Sequence, residues 1–263
     1  MFKDKVIWIT GASSGIGEAL TYEFAKHGAK LVISARRKRE LNKVKKATNL
    51  PEDNVLVVSM DLQHHNTMDA KVEEVVKHFG RIDLLVNNAG ISQRSLAMET
   101  ELEVDKKIMS INYFGTISLT KAVLPIMQKQ GFGQIAAVTS LVGKFGSPLR
   151  STYAASKHAL HGFFDSLRAE LSKENIDITL LCPGYIKTEI SMNAVTGDGS
   201  PQNSMDDATE NGLTPKLCAQ KMIAAIHRKK QEAYIGQREV WAVYLKRFFP
   251  RIFSLFLQNA KVT

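Results

Sequence analysis

The octapeptide TGASSGIG, residues 10–17, limits what this chain can fold into more than any other stretch. It joins a short apolar run, KVIWIT (5–10), to the amphipathic pattern IGEALTYEFAKHG, in which Ile16, Ala19, Leu20 and Phe24 recur at helical spacing. Gly28 stands where that helix should end. Gly11, Gly15 and Gly17 permit a tight turn and let the backbone come close to a phosphate. A helix starting here presents free N–H groups and the positive end of its dipole to a pyrophosphate. A glycine triplet alone also fits a plain turn. Its place between a buried strand and a helix, at the start of a β-α-β unit, makes it specific.

The same alternation continues along the chain. KLVISA (30–35), VLVVSM (55–60), IDLLVNNAG (82–90), GQIAAVTS (133–140) and IDITLLCPG (176–184) read as strands, with a short last one near EAYIG. Helical patterns separate them: a basic one after residue 36, one ending near Phe79, one over about 99–130, one over about 150–173 and one over about 214–228. Strands that are apolar throughout are buried on both faces, which predicts a parallel sheet of about seven strands with helices on both sides. The expected class is α/β, a Rossmann-like doubly wound sheet, with residues 1–263 as one domain. Two segments fall outside the pattern. Residues 186–213 are polar and weakly patterned, and read as a lid, a binding loop or a disordered segment. Residues 238–263 form a basic, aromatic tail in which Pro250 should break any helix.

Composition excludes several classes. The apolar and charged fractions, 44% and 23%, are those of a globular protein. Two cysteines, Cys182 and Cys218, make neither a zinc pattern nor a disulfide framework, and no metal is expected. That usage fits a reducing, intracellular, cytoplasmic setting. The N-terminus is too charged for a signal peptide, and no apolar run is long enough to span a bilayer. Much of the net charge of +9 lies in RRKRELNKVKK (36–46) and in the tail. Neither has a nucleic-acid motif around it, so solvated helix faces are the simpler reading and no nucleic-acid partner is expected. The tail has two readings: it lies peripherally in a membrane interface, or it packs over a pocket or another subunit.

The remaining motifs sit where such a sheet gathers its chemistry. The second strand ends at Ala35 and Arg36, where a dinucleotide site selecting NAD(H) would carry an acid for the ribose 2′-hydroxyl. A cation without an acid favours a 2′-phosphate, hence NADP(H). NNAG (87–90) closes the fourth strand with small residues at the end where ligands bind. Ser140 ends the fifth. Tyr153 and Lys157, in YAASK, are four apart and share a helix face. His64 and His65 lack ligand partners, and His158 and His161 read as surface or interface residues.

The ordered set TGASSGIG, DL (61–62), NNAG, IN (111–112), Ser140, YAASK and PGYIKT (183–188) resembles the short-chain dehydrogenase/reductase family, from about Val6 to at least Thr188. A looser likeness points to the branch of dehydrogenase/reductase member 7B-like proteins. The resemblance implies an oxidoreductase acting on CH–OH donors with NAD(P)+ as acceptor, interconverting a carbonyl and a secondary alcohol. It implies Tyr153 as the acid-base group, Lys157 lowering its pKa and holding the nicotinamide ribose, Ser140 donating to the substrate oxygen, and Asn112 holding a linking water. Cofactor contacts would come from Gly11, Ser13, Ser14, Gly15, Ile16, Gly17, Arg36, Arg37, Asp61, Leu62, Asn88, Ala89, Gly90, Tyr153, Lys157, Pro183, Gly184, Ile186 and Thr188. Many NADP-using members carry Arg or Lys where this chain has Ser14, which leaves NAD(H) open as a second cofactor. The substrate would meet Ser140, Val142, Phe145, Tyr153, Tyr185, Ile190 and Met192, a largely apolar set that suits a hydrophobic molecule. A homodimer or homotetramer through the 100–130 and 150–173 helices is expected by resemblance. The competing reading is a nucleotide-sensing or scaffold protein that keeps the fold without turnover.

Overall fold

The computed structural model describes residues 1–258; the last five residues of the tail lie outside it. In chain order the elements are β1 (Val6–Thr10), α1 (Gly15–Lys26), β2 (Lys30–Ala35), α2 (Lys38–Ala47), β3 (Val55–Ser59), α3 (Met68–Phe79) and β4 (Leu84–Asn87). There follow α4 (Leu102–Met109), α5 (Thr116–Gln130), β5 (Gly133–Val138), α6 (Ser151–Glu170), β6 (Ile176–Pro183), α7 (Asp207–Glu210), α8 (Pro215–His227), β7 (Glu232–Ile235), α9 (Trp241–Phe248) and α10 (Pro250–Gln258).

The seven strands pair in the order β3-β2-β1-β4-β5-β6-β7, every pair parallel. Alternation within each strand feeds two cores. Ile7, Ile9, Leu31 and Ile33 face α1 and α8 on one side. Val6, Trp8, Val32 and Leu85 face the side of α3, α5 and α6. All five residues of β1 and all four of β4 are buried, which is why they read as unbroken apolar runs. The basic helix α2 turns Leu41 and Val44 inward and its charges outward, as a solvated face does.

The helix expected over 99–130 is two helices joined by a π-turn at Ser110–Gly115. Hydrophobic periodicity does not register one wide turn. The backbone there is closely packed: a Cβ on Gly115 would stand 2.5 Å from the Leu62 carbonyl oxygen. π-turns recur at functional sites, and this one carries Asn112.

Residues 186–213 contain only the single turn α7, yet they are tied down. Val195 N–H donates to Ser92 O at 2.9 Å, Arg94 N–H to Val195 O at 2.8 Å and Glu101 N–H to Gly197 O at 2.9 Å. Ser191, Ala194, Asp206 and Thr209 are buried. Pro250 does break the tail, ending α9 and opening α10. Val243 and Phe253 from these two helices are buried with Leu141, Phe145 and Cys182 at the carboxyl ends of β5 and β6. No helix of the described residues is long and apolar enough to cross a membrane.

Candidate active site

The site begins at Thr10, the last residue of β1. Its hydroxyl oxygen accepts the N–H groups of Asn88 and Ala89, both at 3.0 Å, and the Asn88 amide donates to Thr10 O at 2.9 Å. These bonds fasten NNAG beside the glycine turn. Gly11 and Gly15 have φ of +66° and +59°, the left-handed region that glycine enters without strain. Gly17 is required by contact instead: a Cβ there would lie 2.2 Å from Gly11 O. Ser14 starts α1 without a side-chain cap, so the first-turn N–H groups are left for another acceptor.

A cleft of about 540 Å³ opens over this turn. Of the residues assigned to the cofactor, Gly11, Ser13, Ser14, Gly15, Ile16, Arg36, Arg37, Asp61, Leu62, Asn88, Ala89, Gly90, Tyr153, Lys157, Pro183 and Thr188 line it. Gly184 and Ile186 line a neighbouring cavity instead, and Gly17 packs beneath the turn. An uncapped helix N-terminus, two positive-φ glycines and two arginines at the β2 end fit a dinucleotide phosphate chain. The Arg37 guanidinium reaches Ser13 Oγ and Ser14 Oγ, each at 3.4 Å, so a cation stands at Ser14 although the sequence has none at that position.

The second cavity, about 730 Å³, is walled mostly by apolar side chains. Of the residues assigned to the substrate, Ser140, Val142, Phe145, Tyr153, Tyr185 and Ile190 line it; Met192 does not. Trp241, Tyr244, Phe248, Phe249 and Phe256 of the tail line it too, so the tail packs over this pocket. The two cavities share Ile16, Ser92, Tyr153, Pro183, Thr188 and Ile190. Tyr153 therefore stands at their junction.

Of the other three residues assigned to catalysis, Ser140 and Lys157 stand beside Tyr153, and Asn112 packs behind the loop after β4. Ser140 has its single hydroxyl proton within reach of the Pro183 carbonyl at 3.3 Å and of the Tyr153 phenol. The Lys157 ammonium lies 5.7 Å from the Tyr153 ring centroid and donates to Val138 O at 3.0 Å. The Asn112 amide clamps the backbone after NNAG, accepting from Ile91 N–H and donating to Ile91 O, both at 2.9 Å. Its Nδ2 also donates to Ser156 Oγ at 3.1 Å, tying the π-turn to α6.

Burial dominates the electrostatics. It raises the Tyr153 phenol above its ordinary value, opposed first by the Ser140 hydrogen bond and then by the charges of Arg150 and Arg94. Lys157, assigned that lowering role from the resemblance, is not among the opposing groups; it is itself buried and pushed down from 10.5 to about 8. His161, read as a surface or interface residue, is buried beneath Lys157's turn of α6 and pushed down to about 4 by that burial. Its Nε2 lies 3.8 Å from Cys182 Sγ, and one Glu232 oxygen lies 3.6 Å from the same sulfur. These ligand-type atoms lie within 4.8 Å of one another, but the Lys144 ammonium already pairs with that Glu232 oxygen at 2.9 Å. Cys182 is a buried core thiol, raised to about 12.

Four neighbours escaped the sequence reading: Gln93, Arg94, Arg150 and Asp206. The Gln93 side chain, fully buried, accepts the N–H groups of Thr152 at 2.9 Å and Tyr153 at 3.2 Å. It thus caps α6 from outside the helix, because Arg150 at the N-cap supplies no side-chain cap. Arg150 carried a signal, a cation one turn before Tyr153; Gln93 and Asp206 carried none.

Comparison with known proteins gives the family. A family model described as short chain dehydrogenase matches residues 5–199. A dehydrogenase/reductase SDR family protein 7-like of Anopheles gambiae is 44% identical over 95% of this chain and 80% of its own length. Dehydrogenase/reductase SDR family member 7 of Homo sapiens is 41% identical over 94% of this chain and 75% of its own. A short-chain dehydrogenase/reductase from Burkholderia phymatum, solved in complex with NAD, superposes with a TM-score of 0.85 at 23% identity, covering 100% of this chain and 98% of that one.

The buried lysine generates a stability prediction. Its lowered folded-state pKa means that the unfolded chain holds more protons between about 8 and 10.5, so its burial penalty is full below about 8 and is relieved as pH rises through that window. Lys157→Met should therefore gain about 3 kcal/mol relative to the parent at neutral pH compared with pH above 10.5. Urea denaturation across the window measures this; a pH-independent difference contradicts it.

Proposed function

The chain belongs to the short-chain dehydrogenase/reductase family and is an oxidoreductase of the nicotinamide-cofactor type; from that premise we propose that it interconverts a hydrophobic carbonyl and its secondary alcohol with NADP(H), with Tyr153 moving the proton. The observation carrying this reading is the position of Tyr153 where the dinucleotide cleft meets the apolar cavity. The nicotinamide, when bound, supplies or takes up the hydride. The chain's own residues do the rest. Tyr153 gives its proton to the substrate oxygen in reduction and takes one in oxidation. Ser140, facing the same cavity, donates to that oxygen and orients it. Lys157 holds the cofactor ribose and, with a pKa near 8, can exchange a proton near neutrality. Asn112 keeps the Ile91 backbone and α6 in register.

NADP(H) preference rests on Arg36 and Arg37. No acid stands at Ala35, and Arg37 lies against Ser13 and Ser14 where the adenosine phosphate would rest. NAD(H) is the second cofactor. Residues 186–213 are the lid of this one-domain enzyme. It assembles through α4, α5 and α6 as a homodimer or homotetramer, the habit of its family. The tail at the mouth of the apolar cavity also suits a membrane surface: Trp241, Phe248, Phe249, Ile252, Leu255 and Phe256 are exposed among Lys246, Arg247 and Arg251, with no acid from Val240 to Gln258.

Tyr153→Phe tests the acid-base role against a cofactor-binding scaffold. Turnover should fall about a hundred- to ten-thousand-fold with cofactor binding kept; survival of activity on a substrate found by a carbonyl screen would rule the role out. Replacing Arg36 and Arg37 together by Ala should weaken NADPH by about tenfold or more while leaving NADH nearly unchanged. Equal losses in a fluorescence titration contradict the phosphate assignment. Co-sedimentation with phosphatidylserine vesicles, exceeding that with phosphatidylcholine and reduced by Trp241→Ser with Phe248→Ser, is expected for the tail. Equal recovery with and without vesicles contradicts it.

A further inference from the structure

A buried ion triad stands beside the junction of the two cavities. Asp206, from the 186–213 segment, accepts from Arg94 Nε at 3.0 and 3.2 Å and from Arg94 Nη2. Arg150 Nη2 reaches the same carboxylate at 3.4 Å. The three side chains are no more than 5% exposed. Arg94 spends further donors on Ser92 Oγ at 2.8 Å and Gln93 O at 2.6 Å. Gln202 and Thr209 add donors to Asp206 from its own segment. The Arg150 guanidinium lies over the Tyr185 ring at 5.9 Å and bonds its hydroxyl. One carboxylate is thus shared by two guanidinium groups.

Buried charge is costly, and an apolar trio would often be as stable or more so. A function is a stronger account than stability. The three residues come from three parts of the site: Arg94 follows NNAG, Arg150 precedes α6 and Asp206 belongs to the covering segment. Arg94, Arg150 and Tyr153 also line one cavity. Arg150 is the N-cap of α6, three residues before Tyr153, and Arg94 adjoins the Gln93 that caps the Tyr153 N–H.

We infer that Arg94, Asp206 and Arg150 form a latch that fastens the lid to the catalytic helix and keeps one net positive charge beside Tyr153, favouring its ionised form. All three are positioning residues: they act through Tyr153 and touch no reacting atom. The inference rests on Tyr153 being the acid-base group. The charged and titratable groups around Tyr153 are few. Lys157 lies on the same helix at 5.7 Å from the ring, Tyr185 packs on Arg150, and Asp105 of α4 bonds Thr152 at the helix start. Burial pushes the Asp206 carboxyl up, yet its hydrogen bonds and the two arginine charges outweigh that and hold it below the usual carboxylate range. The arginine charges oppose burial at Tyr153, in the sense the latch requires.

The test reads Tyr153 directly. The chain has six tyrosines, so tyrosine labelled with carbon-13 at the ring carbon bearing the hydroxyl gives few signals, and the one missing in Tyr153→Phe is Tyr153. Arg150→Gln removes a cation and should raise the Tyr153 titration midpoint by about one pH unit. Asp206→Asn removes the carboxylate and should lower it, and should speed amide hydrogen exchange across 186–213. Arg150→Lys keeps the charge and should leave the midpoint near that of the parent. If Asp206→Asn does not fold, the two Arg150 variants decide. A midpoint in Arg150→Gln at or below the parent's, or equal shifts in Arg150→Gln and Arg150→Lys, overturns the inference. Because the readout is ionisation, an acid-base assignment that fails by activity in Tyr153→Phe is a separate result.

Discussion

Parallel pairing of β1 with β4, between β2 on one side and β5 on the other, is the constraint on which the site depends. All seven strands run the same way, so the chain leaves every strand at one edge of the sheet. The order reverses at the β1–β4 pair, where successive connections depart to opposite faces and a crevice results. Thr10 then closes the bottom of that crevice by binding two N–H groups of the β4 loop. The glycine turn, NNAG, Ser140 and Pro183 are neighbours because they are the ends of four strands in this one sheet. Without that edge, α6 could present Tyr153 and Lys157 on one face and still have nothing to face.

Much of this was legible because it is local. A strand buried on both faces is an apolar run, a backbone approach needs glycine, and a helix face needs four-residue spacing. TGASSGIG, NNAG and YAASK each encode their own geometry. Arg37 was legible as a cation at the end of β2, though its contact with Ser13 and Ser14 depends on how β2 leads into α2. The tail's break at Pro250 followed from the missing proline N–H.

What stayed hidden is non-local. Gln93 caps a helix about sixty positions away in the chain, and Asp206 meets Arg94 across more than a hundred. No spacing rule spans such distances. In the 186–213 segment composition showed a polar stretch but not its inward bonds: Ser191, Asp206 and Thr209 are buried and hydrogen-bonded. His161 misled: a polar residue on a helix, it points beneath the sheet edge towards Cys182. At the π-turn at 110–115 Gly115 lies tight against Leu62, a contact distant in the chain that helix periodicity cannot register.

The enclosure that makes the site useful also creates its electrostatic problem. The tail and the 186–213 segment shield the cavity from water, and loss of water disfavours every charged form. For Lys157 that lowers the pKa towards neutrality, where proton exchange is efficient; for Tyr153 it works the other way, holding the proton more tightly. One desolvation thus helps the lysine and hinders the tyrosine. A cation placed near the phenol, but held by a carboxylate so that it does not seek solvent, corrects the second without undoing the first. Arg94 and Arg150 around Asp206 have that form, and the carboxylate comes from the same segment that does the shielding.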